Sequence, residues 1–244
     1  MNEMEHAQSF NQDGFVVIPG LLSEKETGLV SDEVDRIITG KSDYVPAECL
    51  VYEPNSSPRR VRNVFGLHRL HPVFMDLARH PEIVAVVAQI LGRPLRLYSS
   101  QLFAKPALVG TKVPLHQDMP YWPFEPYELV SAWVALDDST LENGCVRFLP
   151  ATHKLGLLRH VPSGVVGNSL KLEDERISGI KEYPVEVQRG SCVLHHCLTA
   201  HRSEPNRSVH ARRGLIFIYM SPHVCLTDPS RLRGSPDFPA VSDL

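Results

Sequence analysis

The stretch that decides the reading is Val113-Pro114-Leu115-His116-Gln117-Asp118, followed by Met119-Pro120-Tyr121-Trp122. Val113 to His116 reads as a short strand bounded by turn residues. A His-x-Asp pair at a strand end puts an imidazole and a carboxylate two residues apart on one face, where both reach a single metal ion. Two histidines and one carboxylate on one face of an octahedron leave three positions open, the arrangement of non-heme Fe(II) oxygenases. A third ligand is therefore required. His201, in Leu198-Thr199-Ala200-His201-Arg202-Ser203, follows a predicted strand and can come from a second strand of the same barrel. Further on, Arg212 heads the apolar run Gly214-Leu215-Ile216-Phe217-Ile218-Tyr219. A guanidinium there offers a planar fork that matches a carboxylate bidentately, as a dicarboxylate cosubstrate needs.

Working outward, the chain changes character near Gly92. Upstream, Glu3 to Gln12 reads as a helix, Phe15 to Ile18 as a strand, and Ser23 with Glu26 as a capping box opening a helix over 23–39. Residues 41–64 lack periodicity and carry Pro46, Pro54 and Pro58 with Arg59, Arg60 and Arg62, so they read as a long loop whose arginines are solvated. Pro72 to Leu91 is helical again, with a break at His80-Pro81. Downstream, candidate strands are Leu95 to Lys105, Val113 to His116, Val130 to Leu136, Val146 to Leu149, Val185 to Val187, Ser191 to Leu194 and Arg213 to Met220. This order predicts one α+β domain over 1–244, mainly β: helical support over 1–92, a barrel over 93–222, and a polar inserted lid near 153–183.

Composition narrows the function. With 244 residues and 43% hydrophobic content, a full core is available without staples. The 25 basic and 28 acidic residues give a net charge of −3, which lacks the basic footprint of a nucleic-acid or anionic-membrane binder. No apolar stretch is long enough to span a bilayer, and the acidic opening MNEMEHAQSF is unlike a secretory signal. Five cysteines without a CxxC pair argue against a disulfide framework or a zinc ribbon, and the expectation is a cytoplasmic protein. Cys192 and Cys197 read as inert thiols. No sequence motif marks an interface, so the expected state is a monomer or homodimer.

With these residues in place, the sequence resembles the phytanoyl-CoA dioxygenase family of Fe(II)/2-oxoglutarate oxygenases, over most of its length. The resemblance rests on Pro114 to Asp118, Ala132-Trp133-Val134-Ala135-Leu136, Glu142-Asn143-Gly144-Cys145 leading into Leu149 to Lys154, and His201 to Asn206 followed by Arg212. Gln12 to Val17 resembles the family's first strand. The likeness implies a double-stranded β-helix and an enzyme using Fe(II), 2-oxoglutarate and O2. It implies that His116, Asp118 and His201 hold iron, that Arg212 and Ser203 hold the distal carboxylate of 2-oxoglutarate, and that Gln101, Lys105 and Trp133 reach the cosubstrate. Met119, Tyr121 and Trp122, next to the metal pair, are candidate substrate residues. Residues 44–67, residues 153–183 and the tail after Pro222 are candidate lids. Asp118 stands where halogenating relatives carry a small residue, which disfavours halogenation. The expected reaction is hydroxylation of a small metabolite, with desaturation or ring formation left open. Alternatives are an acyl-CoA hydroxylase and a non-catalytic metal or 2-oxoglutarate sensor. Neither His195 nor His196 precedes serine and arginine at the family spacing. His153 reads as structural, and the remaining histidines default to loops or surface.

Overall fold

Asn2 and Ser23 start helices in the same way: each side chain accepts the backbone N–H three residues on, and Glu5 or Glu26 accepts the cap's own N–H. The computed structural model describes residues 2–54, 56–165, 167–232 and 237–242. The two caps open α1 (Glu3–Asp13) and α2 (Glu24–Ile38), with β1 (Phe15–Ile18) between them. Gly14 makes the turn from α1 into β1 at φ 81, and a Cβ there would stand 2.4 Å from both His153 Nδ1 and Thr199 Oγ1. Only glycine suits that position.

Residues 41–64 depart from the expected loop. They contain β2 (Leu50–Tyr52) and β3 (Val61–Phe65), which extend the larger sheet. Both strands are short and separated by prolines, so local periodicity does not reveal them; pairing of β3 along β4 (Arg96–Lys105) defines the pair. Arg62 is likewise not solvated but 1% exposed on β3. The helices α3 (Leu67–Leu70), α4 (Pro72–Ala78) and α5 (Pro81–Leu91) follow β3, with the break at His80-Pro81 where it was expected.

The remaining strands are β5 (Val113–His116), β6 (Phe124–Glu125), β7 (Leu129–Ala135), β8 (Val146–Phe148), β9 (His160–Val165), β10 (Asn168–Leu172), β11 (Tyr183–Val185), β12 (Cys192–His196), β13 (His201–Ser203), β14 (Arg212–Met220) and β15 (Cys225–Leu226). The larger sheet runs β1-β12-β7-β14-β4-β3-β2 and the smaller β11-β8-β13-β5, all antiparallel. Alternation assigns the faces. Val130, Ala132 and Val134 of β7 with Leu215, Phe217 and Tyr219 of β14 pack against Phe10, Val34, Phe74, Ile83 and Val87 of the helices. The opposite face carries Trp133, Ala135, Val193 and Phe15, which meet Phe148 and Val185 of the smaller sheet. Phe15 and Phe148 stack across the gap, centroids 4.5 Å apart at 11°. The architecture is the expected double-stranded β-helix with helices on its outer face.

Residues 153–183 hold the β9–β10 hairpin, which lies along β5; Leu158 and Leu172 pack with Leu149 and Ala200 outside the smaller sheet. In the tail, residues 233–236 and 243–244 lie outside the described residues. No helix among the described residues is long and apolar enough to cross a membrane.

Candidate metal centre

His116 ends β5 and His201 begins β13. The two are cross-strand partners, with ring centroids 4.3 Å apart. Asp118 lies just beyond β5, where its N–H donates to the Cys197 carbonyl at 3.0 Å. Its Oδ1 stands 3.5 Å from His116 Nε2 and 3.7 Å from His201 Nε2, and the three ligand atoms all lie within 4.8 Å of one another. Each histidine uses Nδ1 on a backbone carbonyl two residues back: His116 on Pro114 and His201 on Thr199, both at 2.9 Å. Those bonds place the proton on Nδ1 and leave the Nε2 lone pair for a metal. Burial, reinforced by His116, pushes His201 down to about 3, so it stands neutral. Burial alone would raise the Asp118 carboxyl, but the ring of imidazoles around it, His201, His116 and His195, the last in hydrogen-bond contact with Oδ2, holds it well below its ordinary range. Two imidazoles and one carboxylate are the donor set a divalent iron takes.

The interior face of the larger sheet supplies the cosubstrate candidates. Arg212 is 2% exposed; its Nη1 donates to the Gly144 carbonyl at 3.1 Å, while its buried Nε meets no acceptor among the described residues. Burial lowers its pKa to about 10, still leaving a cation. Its guanidinium lies 5.2 Å from the Trp133 ring, and Gly214 on β14 allows that ring to lie flat, since a Cβ there would come 2.2 Å from Trp133 Cε2. A buried cation with an orphaned N–H beside an aromatic wall fits a carboxylate ligand. Lys105, the cross-strand partner of Arg212, donates from Nζ to the carbonyls of Thr111 at 2.5 Å and Glu204 at 2.8 Å. Burial, then Arg212 and Arg62, push its pKa down to about 6. Gln101 shares the interior face of β4 with Phe103 and Lys105, half-buried at the level of Ile216. Ser203 is buried two residues beyond His201 on β13. It borders a cavity of about 270 Å³ between β5 and the hairpin, also lined by Lys112, Leu115, Ser163, Lys171 and Arg202.

The candidate substrate residues separate. Tyr121 stands edge-on to His116 with centroids 5.9 Å apart, and its hydroxyl accepts the Leu170 N–H of β10 at 3.1 Å. Trp122 packs edge-on to Tyr98 at 5.8 Å. Met119 is 3% exposed within the apolar cluster of Tyr98, Phe124, Leu129 and Met220.

Several residues at the site lack a sequence signature. His160 Nε2 accepts the Gln117 N–H at 3.0 Å, beside the metal pair, although its position gave no spacing to use. Gln117 is fully buried and bonds Gly156, Leu158 and Leu198, so the middle residue of the motif ties the hairpin to the metal strand. Arg62 reaches the Phe103 ring at 5.7 Å, the same ring that Arg212 approaches at 6.0 Å. Glu53, also buried, accepts from Thr111 N–H and Oγ1 at 3.2 and 2.8 Å. For Arg62 the only sequence signal was a basic cluster, which reads as surface unless strand pairing is known. His195 contacts Asp118 directly without being one of the three clustered ligands.

Comparison with known proteins agrees with this geometry. The model of the phytanoyl-CoA dioxygenase (PhyH) family matches residues 10–214. The chain is 29% identical over 278 residues to phytanoyl-CoA dioxygenase domain-containing protein 1 of Bos taurus, covering 95% of each. It is 28% identical over 245 residues to the ectoine dioxygenase of Bordetella parapertussis, covering 92% of this chain and 77% of that one. Among solved structures, the apo non-heme monooxygenase ThoJ superposes with TM-score 0.76 at 26% identity, over 98% of this chain and 84% of that one. The epimerase SnoN in complex with Fe3+, alpha ketoglutarate and nogalamycin RO superposes with TM-score 0.78 at 23% identity, over 96% and 90%, a likeness of fold. Because the family match runs through the His–Asp–His cluster and on to β14, the chain belongs to the phytanoyl-CoA dioxygenase family and is an iron- and 2-oxoglutarate-dependent dioxygenase.

Proposed function

We propose that this protein hydroxylates an unactivated C–H bond of a small-molecule metabolite of natural-product, amino-acid or organic-acid type, with 2-oxoglutarate converted to succinate and CO2. The observation that carries the reading is the pairing, inside one barrel, of a His–Asp–His cluster with a buried arginine whose Nε has no acceptor among the described residues. Iron with 2-oxoglutarate and O2 supplies the oxidising chemistry. The chain supplies the rest. His116, Asp118 and His201 hold the metal on one face. Arg212 with Ser203 binds the distal carboxylate, Trp133 walls the cosubstrate, and Lys105 with Gln101 lines the same face of β4. Tyr121 and Trp122 border the substrate side, and Tyr121 links it to the β9–β10 hairpin, which acts as a lid that keeps water out. Met119 supports this wall from behind, by its burial.

An acyl-CoA substrate is less well supported. The three arginines that would greet a phosphorylated carrier do not form a patch, because Arg62 is buried and Arg59 lies over the Tyr52 ring at 3.8 Å. The likeness to ectoine dioxygenase supports a small polar metabolite. The five cysteines, all free, support a reducing cytoplasmic setting, and the protein acts there as a monomer or homodimer.

The test is anaerobic addition of Fe(II) and 2-oxoglutarate, read by the charge-transfer absorption of the chelate, followed by O2 in the presence of metabolite pools. The expected result is a band in the parent that His116→Ala loses, succinate formation stimulated by one metabolite class, and a product heavier by one oxygen atom. A band with succinate that no metabolite stimulates would overturn the substrate class; a band without succinate would favour the sensor.

A further inference from the structure

The two oxygens of Asp118 have different surroundings. Oδ1 faces His116 Nε2 and His201 Nε2, at 3.5 and 3.7 Å. Oδ2 faces the larger sheet, where it lies 3.0 Å from His195 Nε2 and accepts from Ser131 Oγ at 3.2 Å. His195 on β12 and Ser131 on β7 are direct cross-strand partners, so the strand register brings both donors to one oxygen. His195 is 5% exposed and held between the Phe148 ring at 5.4 Å and the His201 ring at 4.7 Å. Its Nδ1 is buried with no partner among the described residues. Asp118 Oδ2 is the acceptor that the ring nitrogens reach among the described residues, so the Nε2–H points at Asp118.

We infer that His195, assisted by Ser131, is a positioning residue that holds Asp118 as a one-oxygen metal ligand. A carboxylate with both oxygens free can swing and take a second coordination position, one that 2-oxoglutarate or O2 requires. With Oδ2 engaged by two donors, only Oδ1 would be offered to a metal held by His116, Asp118 and His201, which would leave the remaining positions to 2-oxoglutarate and O2. His195 thus acts through Asp118 and does not bind the metal. The inference rests on the proposed iron and 2-oxoglutarate site.

The experiment compares the parent with His195→Phe, His195→Gln, Ser131→Ala and His116→Ala. Co(II) affinity and its ligand-field spectrum are read first, then the Fe(II)–2-oxoglutarate charge-transfer band. His195→Phe keeps the ring shape and removes the donor; metal affinity is expected to fall about 10-fold, as for loss of an outer-shell partner, with a changed Co(II) spectrum and a shifted band. His195→Gln restores an N–H near the Nε2 position and should recover most of both, while Ser131→Ala should change the spectrum in the same direction by less. Parental affinity and spectra in His195→Phe would overturn the inference, as would a loss equal to that of His116→Ala, which would make His195 a ligand. Should His195→Phe fail to fold, a Ser131→Ala spectrum identical to the parent's would overturn it. Absence of the 2-oxoglutarate band in the parent would sink the cosubstrate reading alone, since the Co(II) titrations still decide the role of His195.

Discussion

Lys105 and Arg212 face one another across β4 and β14 and differ in how they carry charge. Arginine stays protonated when buried, whereas a buried lysine gives up its proton. With its pKa lowered to about 6, Lys105 is largely neutral at pH 7 and satisfied by two carbonyls. A carboxylate arriving beside it favours the ammonium form and raises that value, so binding takes up a proton once the pH exceeds about 6. Affinity for 2-oxoglutarate should therefore decline as pH rises above 6, up to the pKa of the bound state. Calorimetry in buffers of differing ionisation enthalpy measures the uptake, and Lys105→Met should abolish it; an uptake unchanged in that variant assigns the proton elsewhere. Arg212→Met should leave the metal cluster intact and weaken 2-oxoglutarate binding by about 1.5–3 kcal/mol, the worth of a charged hydrogen bond. Titration of the charge-transfer band checks this.

At the scale of elements, β14 and β7 show how one small residue shapes a pocket. Gly214 has no side chain where the Trp133 ring lies, and the ring in turn sits beside the Arg212 guanidinium. Gly214→Ala should force Trp133 to move, destabilising the fold by about 1–3 kcal/mol through overpacking. On the proposal that Trp133 walls the cosubstrate, 2-oxoglutarate affinity should fall as well. Urea unfolding gives the first quantity and Trp fluorescence on titration the second; parental values in both would show that the ring has room. The β9–β10 hairpin is tied to the metal strand from two sides, by Gln117 bonds to Gly156 and Leu158 and by Tyr121 at Leu170. It therefore covers the edge of β5 as a fastened element.

Across the whole molecule, the two sheets meet through aromatic packing that lies directly beside the metal cluster. Phe15 reaches from the first strand to stack on Phe148 of the smaller sheet, and Phe148 also lies 5.6 Å from the His201 ring. Phe15→Ala should cost about 3–5 kcal/mol, as for an aromatic removed from a core, seen as a lower urea midpoint with little change in slope. Fe(II) should recover part of that loss, because a ligand that binds only the folded state stabilises it. A midpoint insensitive to metal would mean that the folded protein does not bind it.

The chain itself announces its periodic and chemically distinctive parts. The capped helix after Ser23, the strands β4, β7 and β14, the His116-x-Asp118 pair and the candidates His201 and Arg212 follow from local rules of spacing and residue type, whereas Ser203 is marked only by the family resemblance. Those rules act within a few residues, so they are silent where partners are distant. β2 and β3 exist because β4 offers a pairing edge, and Arg62 is buried because that pairing turns it inward. The hairpin over residues 160–172 exists because Leu158 and Leu172 find apolar partners on the smaller sheet. His195 differs from eleven other histidines only by a cross-strand register that puts its ring against Asp118. The metal ligands are legible in sequence because their chemistry is rare; the groups that orient them are not, because hydrogen bonds across strands are set by packing.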